Sequence, residues 1–593
     1  MKYEDLTREQ KLFIDYALAG HNILVDACIG SGKTTAIQTL CSCMQGKRVL
    51  YLTYNKLLKL DAQGRIRNGY VNVTNYHGFA FQELRRMDVR CGLSELIQVY
   101  NREKPECVKY NVLVLDEYQD IEQEIAEMLV HIKDCCPGLQ IIAVGDMEQK
   151  IYDKTRLDVQ PFIAEFLGNY IPMEFTTCFR LGRGHAEMLG RVWEKQIVGV
   201  NDGFEIKTMY EYQIRELCKG LKPSQLLVLG SKAGKAQDLQ NWLESKCRDT
   251  FNKHTLWSKI KDTDGATSPT PDCAIFTTYD GCKGMEREVC VLFDWSLKYW
   301  QTRLNKPNAK YEILRNVFCV AASRAKRLLV IAKTDVPVEE DDLKTPVETE
   351  TYFADMAITE MFDYKFIEDV EAAYACLGVK ELEPAKEPLN VPLGDGMIDL
   401  SPCIGHFQEA MFFKHYDIDN DLEFALAQPN RSHMRRDYTK YTLDQKLLYL
   451  ATLETRQRRY MNQVKALPVT EDNRERIRGR LAAHFKEDAR VQVPCSLQFL
   501  SHNGRLLFTA NGIMDVVDEG GMVYELKFVS ELSHVHALQL AMYLACTEKE
   551  TGRLYNTKNG QMLEISVRDR KKFLDCVARA CTKGMLDGWY GER

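Results

Sequence analysis

The chain has 593 residues, 45% of them hydrophobic and 27% charged, with a formal net charge of −6. That length supplies the cores of roughly three or four domains, and the slight acidity excludes a protein that holds a polyanion by its overall field, so any nucleic-acid surface must be a local groove. No run of about 18 apolar residues is present to span a membrane, and the opening MKYEDLTREQ is too polar for a secretory signal.

Residues 22–27 (NILVDA), 48–53 (RVLYLT), 71–74 (VNVT), 112–117 (VLVLDE) and 140–146 (QIIAVGD) are short apolar runs, each followed by a helical or loop pattern. That rhythm predicts a parallel sheet with helices on both faces, a first α/β lobe over 1–175. LLVLGS (226–231), CAIFTT (273–278), VCVLFDW (289–295) and RLLVIAK (327–333) repeat it and predict a second lobe over 176–335. Residues 336–397 are acidic and then proline-bearing, and read as a linker region. Residues 398–593 form a third unit that opens with helices, made locally basic by RSHMRRDYTK (431–440) and ETRQRRYMNQVK (454–465), then shows a strand pair and more helices. The arginine-rich helices over 431–480 are either one wall of a DNA groove or solvated helix faces. The 20 cysteines include no CxxC pair. Without an export signal they read as reduced thiols of a cytoplasmic (or nucleoid-held or nuclear) chain that is not secreted.

NILVDACIGSGKTT (22–35) is a strand, a glycine-containing loop and the start of a helix. Such a loop turns backbone N–H groups toward phosphate at a helix N-terminus. Gly30, Ser31, Gly32, Lys33, Thr34 and Thr35 would hold ATP, with Lys33 on the β- and γ-phosphates and the Thr34 hydroxyl on Mg²⁺. Ala27 stands where such loops usually have their first glycine. In VLVLDEYQD (112–120), Asp116 at a strand end would bind the Mg²⁺ shell and Glu117 would orient and deprotonate the attacking water. A chance Gly-Lys-Thr turn and a solvated acidic turn are the bland alternatives; the two motifs together weaken both.

In the third unit, EGG (519–521) reads as a hairpin turn between two strands. Tyr524, Leu526 and Phe528 alternate with Glu525 and Lys527, so Glu525 and Lys527 share a face. A three-residue turn sets Asp515 directly across from Glu525. Two carboxylates so close repel unless a cation joins them; Mg²⁺, or Mn²⁺, would activate water there while Lys527 positions it. A wet strand with a surface Glu–Lys pair is the competing reading.

The first 335 residues closely resemble the superfamily 1 helicases of the UvrD/Rep type, motif by motif and in order. LTREQ resembles the adenine-contacting motif (Gln10). YLTYNK and TNYHGFA resemble motifs that approach the DNA backbone (Thr53, Asn55, His77). VGDMEQKIY resembles the motif that senses the γ-phosphate and a base (Gln149, Tyr152). TTCFRLG, TTYDGCKGMERE and VAASRAKR resemble the motifs that supply an arginine (Arg180), a ribose contact (Glu286) and a second arginine (Arg324). The resemblance implies two RecA-like lobes with ATP between them, Lys33, Asp116 and Glu117 from the first and Arg180 and Arg324 from the second. It also implies ATP-driven movement, 3′ to 5′, along single-stranded or partially duplex DNA. Two departures stand out: in IYDKTRLD, Lys154 replaces a base-stacking aromatic, and the segments where the family inserts accessory subdomains are short. Residues 398–560 resemble the PD-(D/E)XK nucleases of the RecB type, a restriction-endonuclease-like α/β fold. Asp515, Glu525 and Lys527 match the core pattern, QLAMY supplies Gln539 and Tyr543 on one helix face toward DNA, and IGHFQEAMFF suggests Glu409 as a further metal ligand, with His406 and His484 as rivals. The implied whole is a DNA translocase or helicase carrying a nuclease, with a possible protein partner in repair, replication or defence. The alternatives are an ATP-gated nuclease that barely unwinds and a nucleic-acid clamp whose nuclease unit only binds.

Overall fold

The apolar runs of the first lobe form strands. In the computed structural model, residues 3–588 are described, except 54–55, 67, 90, 93–94, 260–265, 308, 347–352, 364, 430 and 501–503. The chain divides into two compact units, one of Met1–Glu205, Tyr311–Arg327 and Glu339–Pro346, the other of Ile206–Lys310, Leu328–Val338 and Val347–Arg593. Among the described residues no helix is long and apolar enough to cross a membrane.

In the first unit six strands pair in the order Val71–Asn75, Val49–Thr53, Val112–Asp116, Gln140–Gly145, Ile23–Ala27, Ile171–Phe175, all parallel. Val49–Thr53, Val112–Asp116 and Gln140–Gly145 are buried at every residue, the mark of strands covered on both faces. Leu50, Leu52, Leu113 and Leu115 pack under helices Tyr76–Arg86 and Gln123–Cys135. Val49, Tyr51, Val112 and Val114 pack on the opposite side under Arg8–Leu18 and Lys33–Cys43. The register sets Asp26 beside Gly145 and Asp116 beside Val144. The loops after Ala27, Asp116 and Gly145 therefore emerge together at the carboxyl ends of the strands, where open α/β sheets bind ligands.

The second unit holds most of a six-stranded sheet ordered Leu256–Ser258, Ala274–Thr277, Leu226–Leu229, Arg287–Leu292, Ala325–Ala332, Glu205–Met209, its first three pairings parallel. It also holds a seven-stranded mixed sheet: Met356–Ala357, Leu506–Val517, Val523–Lys527, Thr551–Asn556, Gln561–Val567 and Leu377–Glu383 in order, with Arg490–Leu500 paired to Leu506–Val517. Together these are two RecA-like parallel sheets and a PD-(D/E)XK nuclease fold. Val523 joins the core under helix His534–Thr547, whereas Tyr524 and Leu526 face the core of helix Ser401–Phe412.

Three boundaries differ from expectation. Met356–Ala357 and Leu377–Glu383 lie in the expected linker 336–397 yet are strands of the nuclease sheet, and helix Ile367–Tyr374 shares its core with Arg570–Cys581. Leu377–Glu383 is an edge strand with both polar and half-buried positions, so its KELE text looks like a solvated tether; its partner lies some 180 residues on. In addition, Thr176–Glu205 and Tyr311–Arg327, expected in the second lobe, cluster with the first.

The arginine-rich helices turn out to be spent largely within the fold. Arg459 and Glu244 form a buried ion pair at 2.9 Å, their side chains 1% and 5% exposed. Arg459 also donates to the Leu256 carbonyl at 2.7 Å, and Gln463 donates to Glu244 at 2.9 Å. Arg456 pairs with Asp238, Arg474 with Asp444 and Arg435 with Glu423. Glu244 and Asp238 belong to helix Lys235–Lys246 beside the second RecA-like sheet, so Arg456 and Arg459 fasten the nuclease domain to that lobe. Removing one partner of a buried pair strands the other charge. Arg459→Ala is expected to lower apparent unfolding stability by about 3–5 kcal/mol, with part restored in Arg459→Ala/Glu244→Ala, measured by denaturant unfolding.

Candidate active sites

The phosphate loop forms because strand Ile23–Ala27 must turn sharply into helix Lys33–Cys43. Gly30 and Gly32 take φ of +69° and +77°, which only glycine adopts without strain. Lys33 opens the helix and is 8% exposed; Thr34 and Thr35 are half-buried on its first turn. The Ser31 hydroxyl is buried and unpartnered. Gln10 caps its own helix by accepting from Thr7 N–H at 3.1 Å, and its amide donates to the Ser31 carbonyl at 2.9 Å. A Cβ on Gly32 would lie 3.0 Å from Gln10 Nε2 and 3.8 Å from the ring of Phe179, an aromatic side chain 49% exposed.

Asp116 is fully buried. Its Oδ2 accepts from the Tyr51 hydroxyl at 2.9 Å and its Oδ1 has no partner. Burial and then Glu117 push its carboxyl up to about 7. Glu117 sits at φ +57°, a conformation non-glycine residues adopt at a cost and that clusters at functional sites. A hydrogen-bonded chain runs on from it: Gln119 donates to Glu117 at 2.5 Å, Asp146 N–H donates to Gln119 at 3.0 Å, and Gln149 donates to Asp146 at 2.6 Å. Lys195 bridges Asp26, Asp146 and Glu148 at 2.5, 3.2 and 2.9 Å. An orphaned hydroxyl, an orphaned carboxylate oxygen and a lysine around a two-glycine cradle fit a nucleotide triphosphate with a divalent cation.

Arg180 lies against the loop: a Cβ on Gly30 would be 2.8 Å from Arg180 Cβ. Arg180 and Arg324, expected from the second lobe, both belong to the first unit. The cause is packing: His185 bonds the Ala322 carbonyl at 3.0 Å, Trp193 donates to Asn316, and Asn316 donates to the Lys150 carbonyl. Arg324 is buried, its Nε donating to Val320 O and its Nη2 to Ser323 Oγ. Glu286 is half-buried, just before strand Arg287–Leu292 of the second unit. Thr53, expected at DNA, is completely buried at a strand end, so its side chain does not reach a surface. Asn55 lies outside the described residues. His77 is exposed, and Tyr152 is half-buried with the Lys154 ammonium 5.2 Å from its ring centroid.

The second cluster gathers as the hairpin predicts. Asp518 and Met522 bracket the EGG turn with mutual hydrogen bonds, and Val517 pairs with Val523 and Val516 with Tyr524, which brings Asp515 opposite Glu525. Asp515 accepts from Leu526 N–H at 2.7 Å. Lys527 donates to Glu525 at 2.5 Å and to Gln539 at 2.9 Å; Gln539 donates to Glu525 at 2.7 Å and to the Tyr543 hydroxyl at 2.9 Å. Gln539 and Tyr543, expected toward DNA, are thus buried and hold the acid cluster. Glu525 Oε2 is buried without a partner. Burial, then Glu525, push the Glu409 carboxyl up to about 8, and burial, Glu525 and Glu409 push Asp515 well up. Burial opposes charge on Lys527, but Glu525 and Asp515 outweigh it and raise its ammonium above the usual range. Of the rivals to Glu409, His484 lies with Glu383 and Tyr555, away from the cluster. His406 bonds Tyr416, which donates to Asp421.

Three carboxylates in one cluster, Asp515 and Glu409 with raised proton affinity and Glu525 with an orphaned oxygen, fit a divalent cation that ionises them. Cation affinity is therefore expected to rise with pH from the ordinary carboxylate range through about 8, where the Glu409 carboxyl loses its proton. The sign follows from the raised values: without metal the folded site keeps protons that the unfolded chain has lost, so metal-free stability falls as pH rises from the ordinary carboxylate range through about 8. Titration calorimetry with Mn²⁺ across that range checks it, and a flat profile contradicts it.

Several working residues carry little or no mark in the sequence. Gln119 and Asp146 sit inside quoted motifs and Phe179 beside Arg180, where a search for bond partners could have found them. Tyr51, Lys195 and Asp421 are an aromatic in an apolar strand, a surface-type lysine and one acid among many; only folding joins them to the sites.

Comparison with known proteins places an AAA domain on residues 10–155 and a PD-(D/E)XK nuclease superfamily domain on residues 486–568. No curated protein matches. Among solved structures, arterivirus nonstructural protein 10 (helicase) is 11% identical with a TM-score of 0.30, over 58% of this chain and 66% of that one. The Pif1 helicase from Candida albicans is 13% identical with a TM-score of 0.32, over 57% of this chain and 97% of that one. These scores are low, and the fold assignment stands on the sheet topology and the two domain matches.

Proposed function

With a helicase-like AAA domain and a PD-(D/E)XK nuclease domain in one chain, we propose an ATP-driven translocase on single-stranded DNA, of the superfamily 1 UvrD/Rep type and moving 3′ to 5′, that carries a Mg²⁺-dependent RecB-type nuclease. One observation carries this reading. Each of two buried acid sites keeps a carboxylate oxygen without a partner, Asp116 Oδ1 beside the phosphate loop and Glu525 Oε2 beside Lys527. Buried polar groups are rarely left unpaired, and a cation is the partner that both sites lack.

At the first site, Gly30 to Thr35 would hold the phosphates of ATP, and Thr34 and Asp116 its Mg²⁺. ATP with Mg²⁺ supplies the phosphoryl group and neutralises its charge. Glu117, steadied by Gln119, orients the attacking water and takes its proton, and Gln149 reads the γ-phosphate through Asp146 and Gln119. Arg180 offers positive charge against the loop. At the second site, Asp515, Glu525 and Glu409 would hold a divalent cation, Mg²⁺ or Mn²⁺, which polarises the phosphodiester and activates water. Lys527, fixed between Glu525 and Gln539, positions the nucleophile.

The test measures ATP hydrolysis with and without single-stranded oligonucleotide, and cleavage of labelled DNA with Mg²⁺ or Mn²⁺. Stimulated turnover together with cation-dependent cleavage supports the proposal; ATP turnover indifferent to DNA and RNA oligonucleotides alike overturns it. A second reading, an ATP-gated nuclease with little unwinding, is favoured by the Lys154 ammonium lying over the Tyr152 ring, where the helicases stack an aromatic. Duplex displaced per ATP consumed separates the two.

A further inference from the structure

Away from both sites, three metal-type donors converge in the first unit. Helix Gln123–Cys135 carries His131 and Cys135 one turn apart, and the segment before strand Val112–Asp116 carries Cys107. One ligand atom of each lies within 4.8 Å of the other two. Cys135 Sγ is 3.6 Å from His131 Nε2. Cys107 is buried, its sulfur 2.7 Å from the Tyr100 hydroxyl and 3.6 Å from the Pro105 carbonyl oxygen, while His131 Nε2 lies 2.9 Å from that same oxygen. His131 and Cys135 are half-buried, so water can reach that side.

Two thiols and a histidine can meet by packing alone, but two details favour a ligand set. Sulfur and nitrogen bound to one tetrahedral zinc stand about 3.5–3.8 Å apart, which the Cys135–His131 separation matches without adjustment. The adjacent Cys136 is not part of the group: its sulfur accepts from Tyr110 N–H and bonds the Val108 carbonyl. The nearby buried Glu83 is likewise taken, by Arg86 at 2.7 Å. Neither Cys136 nor Glu83 therefore competes for the ion, and an incoming metal would displace the Pro105 carbonyl from His131 Nε2.

We propose that Cys107, Cys135 and His131 bind one zinc-class divalent ion, with water in the fourth position. Two S–metal bonds form as both thiols release their protons to solvent; His131 Nε2 gives up its hydrogen bond to the Pro105 carbonyl, its proton passes through solvent to Nδ1, and Nε2 binds as neutral imidazole, with no electrons transferred. Burial pushes the metal-free Cys107 thiol up to about 12, so uptake should weaken as pH falls. The ion would tie the chain just before strand Val112–Asp116, whose end carries Asp116, to helix Gln123–Cys135.

The test takes the full chain, stripped of metal and kept reduced, with excess Mg²⁺ to mask the acid sites. Zn²⁺ uptake is measured by mass spectrometry of bound metal, and Co²⁺ uptake by absorption. The expected result is one tightly held Zn²⁺ per chain, lost in Cys107→Ser/Cys135→Ser, and a thiolate-to-cobalt charge-transfer band with tetrahedral d–d intensity. The cobalt spectrum of the unaltered chain stands even if the variant fails to fold. No thiolate–cobalt band, Zn²⁺ uptake undiminished in a folded double variant, or a Cys107–Cys135 disulfide that persists with Zn²⁺ in the reduced preparation overturns the proposal.

Discussion

Lys33→Ala is expected to cut ATP turnover by at least about 10²-fold, the usual loss when one preorganised charge that stabilises a transition state is removed. The lysine opens helix Lys33–Cys43 behind two glycines in positive φ, so its ammonium is delivered to the loop at a fixed point. Alanine keeps the helix, since it is the strongest helix former, and Lys33 is not among the residues that hold the sheet together. Cleavage of DNA should survive in the same variant, because Asp515, Glu525 and Lys527 belong to the other compact unit. Phosphate release and plasmid nicking, measured on one preparation, check both halves. Retained ATP turnover would remove Lys33 from the phosphate site.

The converse change is Asp515→Asn, expected to abolish cleavage by about 10²-fold or more while sparing ATP turnover. Asparagine keeps an oxygen that can accept from Leu526 N–H, as Asp515 does at 2.7 Å, so the hairpin should form. It removes one of three mutually repelling carboxylates, whose burial raises the proton affinity of Asp515 and Glu409. The metal-free variant should therefore be at least as stable as the parent at neutral pH, and should gain less stability from added Mn²⁺. Thermal unfolding with and without Mn²⁺ distinguishes this from a folding defect. Lys527→Ala is a poorer probe of chemistry, because it leaves Glu525 buried without the ammonium that bonds it at 2.5 Å.

Both candidate sites are built around short stretches in which neighbours in the chain are also neighbours in space. The phosphate loop spans Cys28 to Thr35, and the Asp515–Glu525–Lys527 set needs only a hairpin with a three-residue turn; local geometry suffices for each. The central strands were legible for a related reason: a strand covered on both faces must be apolar at every position, as Val49–Thr53 and Val112–Asp116 are. Leu377–Glu383 escaped because an edge strand tolerates lysine and glutamate, so its pattern matches that of a tether.

The amino-acid order alone thus determined the α/β character, the phosphate loop and its acidic partner strand, and the hairpin that pairs Asp515 with Glu525, all of which follow from backbone propensity, apolar periodicity and spacing over a few tens of residues. The folded chain alone decided that Arg180 and Arg324 fall in the first compact unit, that Arg459 is a buried counter-charge for Glu244, and that Tyr51, Lys195 and Gln539 serve the acid clusters. Those assignments join side chains far apart along the chain, and a charge or a hydroxyl shows no partner until burial removes the water that would otherwise satisfy it.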